Sequence, residues 1–163
     1  MILVDTNILS TFARVDELEL LFVLFPRSPL GVTPAALEEI SQAVAQGCEW
    51  LRQVLELRRS GRLELAELVT AETLAVHALP GSLGAGEREA IAVCKARGWT
   101  FLSNDKRARN FCRAEGIPVY DLVGLLRALC EWRVRSRQFV QQLCARMEDA
   151  EGIKVNRNAV FRE

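Results

Sequence analysis

Several carboxylates stand where this chain changes from strand-like to helix-like sequence. Asp5 ends the apolar run ILVD, and Asp105 follows the apolar run WTFLS by two residues. Glu38 and Glu39 lie early in the helical stretch AALEEISQAVAQ, and Glu87 and Glu89 open EREAIAVCKARG. An acid at the tip of a buried strand is costly unless something pairs with it. Converging carboxylates also repel one another unless a proton or a cation intervenes. Three or four oxygen donors without histidine or thiol suit a hard ion, Mg²⁺ or Mn²⁺. Such an ion polarises a phosphoryl oxygen and lowers the pKa of the water it binds, which is the chemistry of phosphodiester hydrolysis. Each acid alone has a plainer use. Asp5 and Asp105 can cap the helices that follow them, and Glu87 can complement a helix dipole. Four such positions in this order and context favour the cation, with Asp5 as a ligand.

The elements that would position these acids alternate. ILVD (2–5), LGVT (30–33), RLELAEL (62–68), WTFLS (99–103) and IPVY (117–120) read as strands. Between them lie amphipathic segments. NILSTFA reads as a helix, and DELELLFVLF as a second helix or a long apolar lid. Thr33 caps and Pro34 opens a helix that stops near Gly47, and WLRQVLELRR is helical up to Ser60-Gly61. The loop HALPGSLGAG (77–86) precedes the helix EREAIAVCKARG, which ends at Gly98, and NDKRARNFCRAEG carries Asp105 in its first turn. DLVGLLRALCEW and SRQFVQQLCARM are two further helices. This alternation predicts an α/β fold with three α/β/α layers and a mainly parallel sheet. In such sheets ligands bind beyond the carboxyl ends of the strands, where Asp5 and Asp105 both fall.

Composition narrows the class further. At 163 residues, 50% hydrophobic and 26% charged, the chain suits one soluble domain with a sizeable core. No apolar run is long enough to span a membrane, and Asp5 interrupts the only N-terminal apolar stretch, so a signal peptide is not expected. A cytoplasmic protein without a membrane partner is the expectation. Cys48, Cys94, Cys112, Cys130 and Cys144 are scattered, with no metal-ligand spacing, and read as small hydrophobes. His77 is the only histidine, which argues against zinc and assigns it a surface or packing role. The 21 basic and 21 acidic residues balance, which does not favour strong non-specific binding to nucleic acid. KRARNFCR (106–113) and RVRSR (133–137) are nevertheless locally basic, each readable simply as a solvated face.

The pieces VDTNIL, TPAALEEI (33–40), LGAGEREAIAVCKARG (83–98) and FLSNDKRAR (101–109) together resemble the PIN-domain family, the fold of many small metal-dependent ribonucleases and of VapC-like toxins. Each piece alone is weakly specific; their order and spacing are fairly specific. The forms around Gly86-Glu87 and Asn104-Asp105 are similar to a prokaryotic subgroup of the family rather than to its best-known toxins. The resemblance places the family's four acids on Asp5, Glu39 (rather than Glu38), Glu87 and Asp105, as catalytic residues and ligands of Mg²⁺ or Mn²⁺. Glu87 stands where many relatives have Asp, so its extra methylene suits contact through water. Thr6, Asn7 and Ser103 match supporting polar positions, with Glu89 and Asn104 as further neighbours. The implied activity is hydrolysis of single-stranded RNA, in which water attacks phosphorus and the 3′ oxygen leaves. Lys106, Arg107 and Arg109 would then hold the phosphate backbone.

The resemblance covers roughly residues 1–125, a nuclease core. Residues 126–163 form a helical extension and polar tail of the same domain, read as packing on the core, dimerising or receiving a partner. The resemblance also implies an antitoxin protein or a second copy as partners. A PIN-like module that binds RNA or protein without cutting is the competing reading. A phosphotransferase of the haloacid-dehalogenase kind would need DxDxT where this chain has DTNIL.

Overall fold

The computed structural model describes residues 1–162. Five short strands, β1 (Ile2–Val4), β2 (Leu30–Val32), β3 (Leu63–Leu65), β4 (Thr100–Leu102) and β5 (Val119–Tyr120), form one sheet in the order β3-β2-β1-β4-β5. Every neighbouring pair is parallel, with Ile2 opposite Leu30 on one side and Leu3 opposite Phe101 on the other. The chain builds outward from β1 to β3, then crosses back to place β4 on β1's other edge. The switch point therefore lies between β1 and β4, where a crevice opens at the carboxyl ends of parallel strands.

Helices cover both faces. On one face α1 (Thr6–Arg14), α2 (Glu19–Leu24), α3 (Pro34–Ala45), α4 (Arg52–Arg59), α8 (Leu122–Glu131) and α9 (Arg137–Glu151) share a core with Ile2, Val4, Leu30, Val32, Leu63 and Leu102. On the other, α6 (Ala85–Arg97) and α7 (Lys106–Ala114) pack on Leu3, Phe101 and Ile117, and α5 (Thr70–His77) lies against α6. The split of Leu3 from Ile2 and Val4 is the two-residue period of a strand. This is the expected α/β/α arrangement with a parallel sheet.

The differences from the sequence reading have local causes. DELELLFVLF is a short buried helix, not a lid: Leu20, Leu21 and Leu24 enter the core. RLELAEL is strand only at Leu63–Leu65. WLRQVLELRR begins with a 3₁₀ turn, Glu49–Leu51, before α4. Asp105 is the cap of α7 and not part of its first turn, and α6 starts two residues before Glu87. Gly98 ends α6 in a left-handed conformation with φ of 67°, which other residues adopt at a cost.

The C-terminal residues pack on the core. Val140, Leu143, Cys144 and Met147 of α9 are fully buried, and Val155 and Val160 join the same core. The short helix α10 (Arg157–Val160) is held by the Arg127 guanidinium, which donates to the Ala159 carbonyl at 2.8 Å. Cys94, Cys112 and Cys144 are buried thiols, all five cysteines are free, and His77 is exposed. No described helix is long and apolar enough to cross a membrane.

Candidate metal centre

Asp5 leaves β1 into the crevice. Its backbone N–H still pairs with the Leu102 carbonyl of β4, at 2.9 Å, so the strand register fixes the residue that follows it. Its side chain then accepts from the Thr6 N–H at 2.9 Å, capping α1, and from the Ser103 hydroxyl at 3.2 Å. Ser103 is wholly buried, and its oxygen also accepts from the Asp105 N–H at 3.2 Å. One hydroxyl thus links the ends of β1 and β4. Asp105 continues from there to cap α7, accepting from the Ala108 N–H at 2.9 Å.

The glutamates arrive from the two helices that frame the crevice. Glu39 is on α3, where its two oxygens accept from the Thr6 hydroxyl at 3.1 Å and the Gly86 N–H at 3.2 Å. It therefore joins α1, α3 and α6. Glu38, one residue earlier, points to solvent and accepts from Gln42. Glu87 folds back on the Gly84 N–H at 2.8 Å, and Glu89 accepts from the Ala35 N–H at 2.8 Å, tying α6 to the start of α3. Gly86 permits this approach: a Cβ there would stand 3.3 Å from Ala36 and from Glu39 Oε1.

Electrostatics binds these carboxylates into one group. Burial, with the charges of Glu87 and Glu39, raises the Asp5 pKa to about 7 against the opposing bonds from Ser103 and Thr6. Burial raises Glu87 as well; its bond from Gly84 opposes this, and Asp105 and Glu39 add to the rise. Arg107 is the one cation that lowers it. A set of oxygen donors in which burial and neighbouring charges hold Asp5 and Glu87 toward their neutral forms suits a hard divalent cation in donor type and in charge. In arrangement it is not closed. Among the described residues, no three His, Cys, Asp or Glu side chains stand so as to hold one ion. The reason lies in the hydrogen bonds above: each carboxylate is turned to a backbone N–H or a hydroxyl. The fold brings Asp5, Glu39, Glu87 and Asp105 to the carboxyl ends of β1 and β4, with their side chains turned to backbone N–H groups and hydroxyls.

The three cations at the start of α7 stand in different surroundings. Lys106 and Arg107 are exposed. Arg109 is engaged within the fold, with its guanidinium paired to Asp121 and donating to the Asp105 carbonyl at 3.4 Å. Asp121 was not singled out by sequence. It follows β5 as Asp5 follows β1 and caps α8, so the same pattern, an acid directly after an apolar strand, pointed to it. Asn7 and Asn104 are exposed and line a cleft that begins at Asp105.

The comparisons agree with this architecture. The family model DUF3368, described as a PIN domain, matches residues 1–161. Among solved structures the chain is similar to a crystal structure of VapBC2 from Rickettsia felis bound to a DNA fragment from their promoter. That match has a TM-score of 0.53 and 17% identity over 74% of this chain and 98% of the other, which is a likeness of fold. No match was found among curated protein sequences. With a parallel sheet, acids at its switch point and a family match along nearly its whole length, the chain belongs to the PIN-domain family.

Proposed function

We propose that this chain is a metal-dependent ribonuclease that hydrolyses phosphodiester bonds of single-stranded RNA. The observation that carries the reading is the gathering of Asp5, Glu39, Glu87 and Asp105 at the β1–β4 switch point, where Ser103 and Thr6 tie Asp5, Glu39 and Asp105 together. There the charges of Glu87 and Glu39 act on Asp5, while those of Asp105 and Glu39 act on Glu87. PIN domains are generally nucleases that use divalent ions, and the donor set here is all oxygen. Asp5 and Asp105 would hold Mg²⁺ or Mn²⁺, with Glu39 and Glu87 completing the acidic pocket. When bound, the ion supplies a Lewis acid for the phosphoryl oxygens and an acidified water as nucleophile.

The chain's own residues perform the rest. Ser103 keeps Asp5 and the Asp105 backbone in fixed relation, so the two acids present their oxygens from adjacent strand ends. Thr6 orients Glu39. Glu87 is bound by a single backbone bond, at Gly84, and is free to swing toward the phosphate or its water at little cost. Lys106 and Arg107, exposed on the first turn of α7, attract the RNA backbone beside the acids. Arg109, held by Asp121, steadies α7 rather than meeting RNA.

One structural neighbour is VapBC2 bound to a DNA fragment from their promoter, and the resemblance to the VapC-like toxins points the same way. By analogy the chain is proposed as the toxin of such a pair, with an antitoxin protein and a second copy of itself as partners. A specific observation favours the competing reading of a non-catalytic RNA- or protein-binding module: the four carboxylates act as caps and ties, and among the described residues no three acids are arranged around one ion. Cleavage of a mixed-sequence single-stranded RNA separates the two. The nuclease requires products with Mn²⁺ or Mg²⁺, none with EDTA, and none from Asp5→Asn or Asp105→Asn. A folded wild type that binds RNA and yields no products with either ion establishes the module.

A further inference from the structure

Beside the acids lies a cleft of about 290 Å³ that extends away from Asp105. Its floor is α1, which presents Asn7, Ser10 and Thr11 along one helical stripe, and one wall is Asn104 with Asp105. The opposite wall comes from far along the chain: Glu151, the last residue of α9, and Ile153 beyond it. Glu151 Oε2 accepts from the buried Thr11 hydroxyl at 2.8 Å, so the carboxylate is aimed inward across 140 residues of sequence. The wall is firmly placed. Arg146 donates to the Val15 carbonyl at 3.3 Å and pairs with Glu17, while Glu148 accepts from the Val155 N–H at 3.0 Å. The Trp50 indole donates to Ser10 at 3.0 Å, which fixes the floor.

The lining selects its ligand. Two carboxylate residues line the cleft and, among the described residues, no cation does, so it repels phosphate. It is at the lower end of small-molecule pocket volumes, roughly 300 Å³, and suits one flat heterocycle. Asn7 and Asn104 offer amide donors and acceptors, Glu151 Oε1 is an acceptor, and Ile153 offers apolar surface to a ring face. We propose that this cleft receives the base of a nucleotide adjoining the scissile phosphate, and that Glu151 selects bases with an exocyclic amino group by accepting its hydrogen. Carboxylates pair with the amino group of cytosine in this way, and splayed single-stranded bases expose that edge. Uracil has no amino group to give. Phosphates run past the cleft on the Lys106 and Arg107 side, and the base turns inward. Glu151 is a specificity-determining residue, not a catalytic one, and this role rests on the ribonuclease reading above.

Equilibrium binding of end-labelled oligo(C), oligo(A) and oligo(U) hexamers to the full chain, with Ca²⁺ in place of Mg²⁺, tests it. The wild type is expected to bind oligo(C) and oligo(A) about tenfold more tightly than oligo(U), the discrimination of one good polar base contact. Glu151→Ala is expected to bring the three within about twofold of one another. Glu151→Gln keeps the size and the Thr11 contact but adds an amide donor, so it is expected to gain affinity for oligo(U) through the uracil O4. It serves as the test if Glu151→Ala fails to fold. Equal affinities in the wild type, selectivity that survives both substitutions, or no binding of any hexamer would overturn the proposal. Cut sites read by sequencing keep the two claims apart. Metal-dependent cleavage indifferent to the neighbouring base preserves the nuclease and removes the base subsite. Amino-selective binding with no cleavage in Mn²⁺ preserves the subsite and removes the nuclease.

Discussion

Asp5 has two roles that pull its carboxyl in opposite directions. As the cap of α1 it gains from being charged; as a group only 5% exposed beside Glu87 and Glu39 it loses from being charged. The loss wins, and its pKa rises from 3.8 to about 7. The folded chain then holds a proton that the unfolded chain releases, so the stability from Asp5 is fully present below about pH 4 and is lost as pH rises to about 7. At about 1.4 kcal/mol per unit, the loss is on the order of a few kcal/mol. Asp5→Asn, which carries no charge, is therefore expected to raise the melting temperature relative to wild type at pH 8 without metal, and to lose that advantage at pH 4. Thermal melts at the two pH values check this; a difference that does not change with pH contradicts it. Ser103→Ala removes the hydroxyl that bonds Asp5 and satisfies the Asp105 N–H in a fully buried position. It is expected to cost about 1–3 kcal/mol in urea unfolding and to move the acidic limb of the cleavage pH profile upward, because a bond to the charged form is gone.

Among the elements, α3 and α6 matter most to the site, since they bring Glu39 and Glu87 to strand ends they do not follow. Their contact depends on Gly86, where a side chain would meet Ala36 and Glu39. Gly86→Val is expected to cost about 1–3 kcal/mol by overpacking and to displace Glu39 from the Thr6 hydroxyl. Denaturant unfolding together with Mn²⁺ affinity checks it, and an unchanged affinity would mean that Glu39 does not take part in the centre. These elements were largely legible in sequence. Apolar runs of strand length gave the sheet, and Thr33, Pro34 and Gly98 marked helix ends because their chemistry suits those positions. Other features were not legible. Asp5, Glu39, Glu87 and Asp105 could be located, but whether a carboxylate faces an ion or a backbone N–H depends on χ angles that spacing does not encode. Arg109 read as a free cation because its partner Asp121 is brought near by β5 and the turn into α8. Glu151 was invisible as a site residue, since only the tertiary fold brings it to Thr11.

At the scale of the whole molecule, the C-terminal helices complete both the core and the cleft. α9 buries Val140, Leu143, Cys144 and Met147 against the same core as α1 and α8. Each such side chain contributes about 1.5–3 kcal/mol by burial, and a domain's net stability is only about 5–15 kcal/mol. A chain ending at Arg133 is therefore expected to lose its cooperative thermal transition by circular dichroism. A truncated chain that melts like the full one would make α9 and α10 an accessory, not a part of the fold. The balanced charge of the molecule predicts weak binding to duplex DNA at physiological salt, with RNA held through the local cations Lys106 and Arg107. Lys106→Glu with Arg107→Glu is expected to weaken RNA binding at least tenfold and to flatten its salt dependence; filter binding across a salt series measures both.

Asp5 and Asp105, with Glu39 and Glu87, are proposed to form one cation centre by turning from their backbone partners when an ion arrives. Titration of the full chain with Mn²⁺, followed by electron paramagnetic resonance of the free ion, tests it most directly. One Mn²⁺ bound per wild-type chain is predicted, lost in Asp5→Asn and in Asp105→Asn and retained in Glu38→Gln, whose carboxylate faces solvent. No bound Mn²⁺ in the folded wild type, or binding that survives both aspartate substitutions, would contradict the account and leave these acids as the caps and ties of the switch point.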